Sequence, residues 1–330
     1  MGLFRKILNV RQKRLFYKLL FSFMIFLIVP IFLLSAISYF SIINYTKEKI
    51  KGANQVKLQL LQNNVERYYD VAKHLAMTLI SDKRLDQIYG ISEQNVYTSY
   101  SNVNKIKELI QLITGLQGMN TDIHSIYIYN ANDDFIVTSK VGTGRENFFD
   151  AEWIDHYKRT GLNDIAFIKR KMPEDSELGN NNKDNPVPAQ RSYDVITFVF
   201  PMNYTRLKGI IAVNISYDKI FQALLTEELP GEQYYVLDAY SNIIFDGGNA
   251  ERNILYDNWA SIEKVVQSEK ESGFFTLDSQ DGEKMVMFSK SGLCNLTIIN
   301  ITHGGLLFDR ILFFKMLIIV LSVSIIIIGF

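Results

Sequence analysis

The sequence predicts an α+β chain: two tandem antiparallel-sheet modules behind a long N-terminal helix, flanked by two membrane-crossing helices. Three observations carry that expectation. An uncharged run of 28 residues, Leu19–Thr46, follows a basic start, and a second uncharged run closes the chain. A proline-free stretch with apolar residues at alternating spacings of three and four follows the first run. One strand–turn–strand pattern then occurs twice.

The first run is dense in Leu, Ile and Phe, and a bilayer core needs roughly 20 helical residues to span it. Pro30 lies inside it, which a spanning helix tolerates with a kink. A cleaved signal peptide would have an apolar core of only about 7–15 residues. Here the apolar run continues through Tyr39, Phe40, Ile42 and Ile43, which favours an uncleaved helix. Six basic residues and no acid precede it (Arg5, Lys6, Arg11, Lys13, Arg14, Lys18), so the N-terminus is expected in the cytoplasm and the next segment outside. The second run, Met316–Phe330, would extend only about 22 Å as a helix, short of the hydrocarbon thickness. The expectation is a crossing helix with a cytoplasmic part to follow.

From Thr46 to about Ile80 the apolar residues Leu58, Leu61, Val65, Tyr68, Ala72, Leu75 and Leu79 form a heptad seam. Two readings stay open: a stripe packed on its own domain, or a seam between two protomers. A second helix is expected over Val103–Gly118.

Strand signals begin near residue 123. Ile126–Asn130, a turn at Asp133-Asp134 and Phe135–Thr138 form one hairpin pattern, and Tyr234–Asp238, Ser241-Asn242 and Ile243–Phe245 repeat it. Val213-Asn214-Ile215-Ser216 closes the first copy and Ile299-Asn300-Ile301-Thr302 the second. The copies are 108 residues apart at Asn130/Asp238 and 86 apart at Asn214/Asn300. The longer first copy holds a Pro/Asn-rich stretch, 172–190, read as a loop. Further strands are expected at Val195–Phe200, Gly209–Ile215, Gly273–Leu277, Lys284–Ser289 and Leu296–Ile301, with turns at Asn203–Lys208 and Asp281-Gly282. Helices are expected at Asp150–Arg159, Tyr217–Leu225 and Asn258–Glu269, lying on one face of each sheet.

Composition fits a folded chain and narrows the function. Of 330 residues 48% are hydrophobic and 21% charged, which excludes a disordered chain. One cysteine, Cys294, excludes a disulfide scaffold and a cysteine zinc cluster, and four histidines leave little for a metal site. Cys294 reads as a small buried residue rather than a reactive thiol, and His156 as an exposed helix histidine. The formal net charge of zero hides segregation: residues 47–310 carry a net charge of −7, which disfavours nucleic-acid binding by that region. The motifs H-E-x-x-H, G-x-S-x-G and G-x-x-x-x-G-K-[ST] are absent, Gly142-Thr143-Gly144 is too short for a phosphate loop, and no catalytic residue, metal ligand or cofactor is expected.

The layout, with KRLFYKLLFSFMIFLIVPIFLLSAISYF, then FFDAEWIDHY, VITFVFPM and KGIIAVNIS, and finally QYYVLDAYSNIIFD, resembles the double Cache sensor region of bacterial transmembrane receptors. It is similar to membrane-anchored AraC-type regulators and YesM-type sensor histidine kinases of the Bacillus/Paenibacillus kind. The resemblance covers essentially the whole chain. It implies two PAS-like modules and divides the chain into a cytoplasmic tail (1–18), a transmembrane helix (19–45), a helical stalk (46–119), a membrane-distal module (120–228), a membrane-proximal module (229–305) and a second transmembrane helix (311–330). It implies a sensor of small molecules, with an AraC-type output expected and a histidine kinase as the alternative. DNA or a response regulator would be met only by a cytoplasmic part outside this chain. A homodimer and contact with membrane lipid are expected too.

In the family the distal module usually holds the ligand. Amino-acid-binding members carry an Arg two residues before a Trp and a Tyr just after it. Trp153 matches the Trp, but Ala151 and Ile154 stand at the other two places, so the carboxylate clamp does not carry over. What remains is an aromatic and polar set, Trp153, Asp150, Tyr129, Tyr127, Arg145, Tyr193, Asp194 and Thr197, suited to a sugar or another small polar solute. The alternative for Trp153 and the tyrosines is that they fill the module core.

Overall fold

A computed structural model describes residues 2–148, 150–151, 153–155, 158, 166–173, 192–202, 208–225, 232–247, 259–279 and 282–303. The expected second crossing (311–330), most of the loop 172–190, the turn at 203–207, Asp281 and His156 lie outside these residues. The chain divides into two units. One takes Met1–Val56, Phe275–Met287 and the chain from Ile301; the other takes Lys57–Phe274 and Phe288–Asn300.

The chain opens with one continuous helix, α1 (Gly2–Ser81), with Pro30 inside it. The uncharged run Leu19–Thr46 lies within α1. Some of its side chains, such as Ile25 and Leu27, lie outside the described set. Among the described residues no helix is long and apolar enough to cross a membrane. Two short helices follow, α2 (Lys83–Asp86) and α3 (Glu93–Val96), then α4 (Tyr100–Gly118). The two short helices escape sequence reading because each is a single turn held by its cap. Asp82 caps α2: Oδ1 accepts the Arg84 backbone N–H at 2.9 Å, and the Arg84 guanidinium donates to both carboxylate oxygens at 2.9 and 2.7 Å.

That fork holds the Asp82 carboxyl down at about 2, against an ordinary 3.8. A depressed carboxylate adds stability above its unfolded pKa and loses it as pH falls towards its folded one. The stability difference between the wild-type chain and Asp82→Asn should therefore be present at pH 7, about 0.5–1 kcal/mol for a partly exposed pair. It should shrink between pH 4 and pH 2. Urea midpoints at stepped pH check this, and a pH-independent difference would refute it.

Six strands build the first sheet: β1 (Ile123–Asn130), β2 (Phe135–Val137), β3 (Gly142–Gly144), β4 (Ala166–Pro173), β5 (Ser192–Pro201) and β6 (Gly209–Ser216). Their order is β3-β2-β1-β6-β5-β4. The pairings are antiparallel, with Tyr129 opposite Ile136 and Ile210, and Thr197 opposite Asn214. After β6 come α5 (Tyr217–Leu225), β7 (Glu232–Leu237), β8 (Ile243–Asp246), α6 (Trp259–Gln267), β9 (Ser272–Ser279), β10 (Gly282–Ser291) and β11 (Leu296–His303). The second sheet runs β8-β7-β11-β10-β9, which is the first sheet's order without β3. The duplication seen in the sequence is thus a duplication of topology. Its turn chemistry also recurs: Asn130 and Asp238 each accept the backbone N–H two residues on, at 3.0 and 2.9 Å, and positive φ follows at Asp134 and Ser241.

Alternation along the strands gives the first sheet two buried faces. Phe198 and Phe200 of β5 meet Tyr69 of α1, ring centroids 6.2 and 6.1 Å apart, and α4 packs on β1 and β2. Gly142 is required there, because a Cβ would stand 2.8 Å from Ile106 Cγ2 of α4 and 3.0 Å from the Phe135 ring. The α1 stripe is consumed by this packing. Leu58, Leu61, Val65, Tyr68, Ala72 and Leu79 are all buried within the chain itself, and Leu75 is half-buried. Of the two readings of the seam, the stripe that packs on its own chain is the one found, and it leaves no such surface for a second protomer.

Helices on one face only is the expectation that fails. The opposite face is covered by the chain after β3, where Phe148, Trp153 and Ile154 join Tyr127, Tyr129, Val195, Val199 and Ile210 in one core. At the end of β6 the chain enters α5 directly. Asn64 of α1 donates to Ile220 O at 2.6 Å, while Tyr217 and Phe221 close on Phe245 of β8, centroids 5.7 and 4.6 Å away.

Candidate functional site

The covered face of the first sheet carries a buried polar network. It starts on β4, where Lys169 and Lys171 are exposed and the alternate residues Arg170 and Met172 point inward. Arg170 is 7% exposed. Its Nε donates to Thr197 Oγ1 at 2.7 Å, and Nη2 donates to Asn214 Oδ1 at 2.9 Å. Its Nη1 donates to Asp150 Oδ1 in an ion pair whose side chains are both 4% exposed. Thr197 Oγ1 also donates to Asn214 Oδ1 at 2.7 Å, and Asn214 Nδ2 donates to Ser125 Oγ at 2.8 Å. Strands β1, β4, β5 and β6 and the covering segment therefore meet in one set of bonds. A buried charge persists only when paired and hydrogen-bonded in this way.

Aromatic side chains roof the network. Trp153 is fully buried, and its Nε1 donates to Asp150 O at 2.6 Å. Its ring lies 6.0 Å from Tyr127, which meets Phe148 edge-on at 5.3 Å. Tyr129 lies beyond, donating to Asp134 Oδ1 at 2.7 Å. Burial first, and then that carboxylate, push its phenol above the usual range. Lys158 Nζ stands 5.3 Å over the Tyr129 ring, and Arg145 pairs with Asp155.

The structure thus brings together Asp150, Trp153, Tyr127 and Thr197 of the sequence-derived set, with Tyr129 and Arg145 nearby. Tyr193 and Asp194 stand apart. Tyr193 is 41% exposed, its ring 5.1 Å from His124, and Asp194 is exposed opposite Lys171. Tyr193 lies opposite Met172 at the margin of this face, and Asp194, next to it on β5, points to the other face.

Sequence reading missed Arg170, Asn214, Ser125 and Met172. A signal existed for one of them: Asn214 is a lone polar residue in the apolar run Gly209–Ile215.

The second sheet offers less. Tyr234 and Tyr235 donate to Glu232 and Gln233 at 3.2 and 3.0 Å, and Lys57 pairs with Glu232 at 3.2 Å. Cys294 is half-buried, with its thiol pushed up to about 12 mainly by burial. Among the described residues no group of three or more His, Cys, Asp or Glu is placed to hold a metal ion.

No family model and no curated protein matches the chain. Solved structures do. The sensory domain of the Campylobacter jejuni chemoreceptor Tlp3 with isoleucine bound is similar at 14% identity and a TM-score of 0.50, over 80% of this chain and 97% of that one. The same receptor's ligand-binding domain with L-valine gives the same figures: 14%, 0.50, 80% and 97%. The ligand-binding domain of Mlp24 with asparagine matches at 12% identity and a TM-score of 0.51, over 82% of this chain and 98% of that one. The chain has the tandem fold of these sensory domains. In this fold the polar network lies in the first of the two sheets.

Proposed function

We propose that the chain is the extracytoplasmic sensing region of a transmembrane signalling protein, and that the covered face of its first sheet takes a small polar solute. The observation that carries this is the buried network around Arg170, closed by Asp150 and roofed by Trp153 and Tyr127. A buried ion pair adds little net stability over an apolar core, so polar groups that converge from four strands and a covering segment fit a role in recognition. The ligands named for the similar sensory domains, isoleucine, L-valine and asparagine, are small solutes.

In this reading residues 120–228 form the membrane-distal module and 229–305 the proximal one. Asp150, Trp153, Tyr127 and Thr197, with Arg170 and Asn214, line the site. The large exposed apolar side chains of α1, among them Phe23, Phe26, Leu33, Leu34, Ile37 and Phe40, support contact with lipid. A second protomer would meet the chain on a face other than the buried seam. The output rests on the sequence resemblance: an AraC-type regulator, with a histidine kinase as the alternative. Paired helix-turn-helix motifs, or an H-box with nucleotide motifs, in the complete gene product separate the two.

Thermal melts of the chain with amino acids and with sugars test the site. A binder present at 100 times its Kd should add about 2.7 kcal/mol of stability. The stabilisation should shrink in Thr197→Val, as a binder weakened about two- to tenfold gives. If no solute shifts the melt, or the shift is unchanged by that substitution, the site is wrong.

A further inference from the structure

The polar network ends on a sulfur. Tyr127 OH donates to Met172 Sδ at 3.2 Å, and Ser125 Oγ and Arg170 Nη2 approach the same sulfur at 3.8 Å. A thioether is a weak acceptor, so three good donors are aimed at a poor partner. Two of the donors are held without it. Ser125 is bonded by Asn214, and Arg170 is bonded by Thr197, Asn214 and Asp150. Met172 has an unbranched side chain with three rotatable bonds, which can turn aside while the donors stay in place.

Charge limits what replaces it. Arg170 is already neutralised by Asp150, and both side chains are out of water. An anion added there would leave a net buried charge, which is strongly unfavourable. A neutral oxygen adds none. We infer that the Met172 thioether holds the place of an uncharged ligand oxygen, a carbonyl or hydroxyl such as an amide or a sugar presents, which accepts from Tyr127 and Arg170. This rests on the reading of this face as the ligand site.

The test needs no knowledge of the natural ligand. The full chain is labelled at its methionine methyls, and the Met172 signal is assigned by its loss in Met172→Leu. Propionamide, propionate and glycine are titrated separately. Propionamide should move the Met172 methyl saturably, and propionate and glycine should need far higher concentrations. Tyr127→Phe should weaken the propionamide response about two- to tenfold, the worth of one neutral hydrogen bond. A Met172 methyl that responds first to propionate or to glycine, or to no probe, overturns the inference. The solute melts decide the reading of the face separately: a chain stabilised by solutes whose Met172 methyl stays still keeps the site and loses this inference.

Discussion

Arg170→Ala should destabilise the chain by about 3–5 kcal/mol, because it leaves Asp150 buried without its partner. That is a large part of the roughly 5–15 kcal/mol that holds a typical domain together. Thr197 and Asn214 each also lose a hydrogen bond from Arg170 in the same variant. Urea midpoints of the purified chain measure the loss. The informative companion is the double variant Arg170→Met with Asp150→Leu. Removing both charges removes the desolvation cost along with the attraction, so most of the stability should return. A double variant as unstable as Arg170→Ala would mean that the pair is held by packing around it rather than by charge.

Trp153→Ala should also cost about 3–5 kcal/mol, the usual penalty for truncating a large buried aromatic. The side chain is fully buried in the core beneath the covering segment, against Tyr127, with its indole N–H bonded to Asp150 O. Trp153→Phe keeps most of the packing and loses the hydrogen bond, so it should cost nearer 1 kcal/mol. The same urea titrations separate the two. An alanine variant that melts like the wild-type chain would show that Trp153 faces open space and not core.

The sequence alone was informative wherever local chemistry decides structure. The repeated hairpins were readable because Asn130 and Asp238 set the same turn, and because the strands around them are apolar on both sides. Tyr217–Leu225 was readable as a helix from its spacing. Strand β4 was not, because the three consecutive basic residues Lys169, Arg170 and Lys171 mask its alternation. Strand β3 was not, because Gly142-Thr143-Gly144 has no strand signal of its own and is ordered by pairing with β2.

The candidate site divides the same way. Trp153, Asp150, Tyr127 and Thr197 could be singled out as types suited to a pocket. Their partner Arg170 could not, since it sits on a strand the sequence does not announce. Tyr193 looked equivalent to Thr197, on the same face of the same strand, yet only the covering segment decides which of the two is buried.

The sequence by itself determined the α+β class, the tandem modules, the long helix and the segregation of charge, since each follows from periodicity, turn residues or composition. Tertiary structure alone decided where the α1 stripe goes and which side chains meet. A 3-4 spacing specifies an apolar face but not what covers it, and the seam turned inward onto its own chain. The network joins Asp150, Arg170, Thr197, Asn214 and Ser125 across as many as 89 residues of sequence. Such contacts exist only once the strands are in register, so no local pattern encodes them.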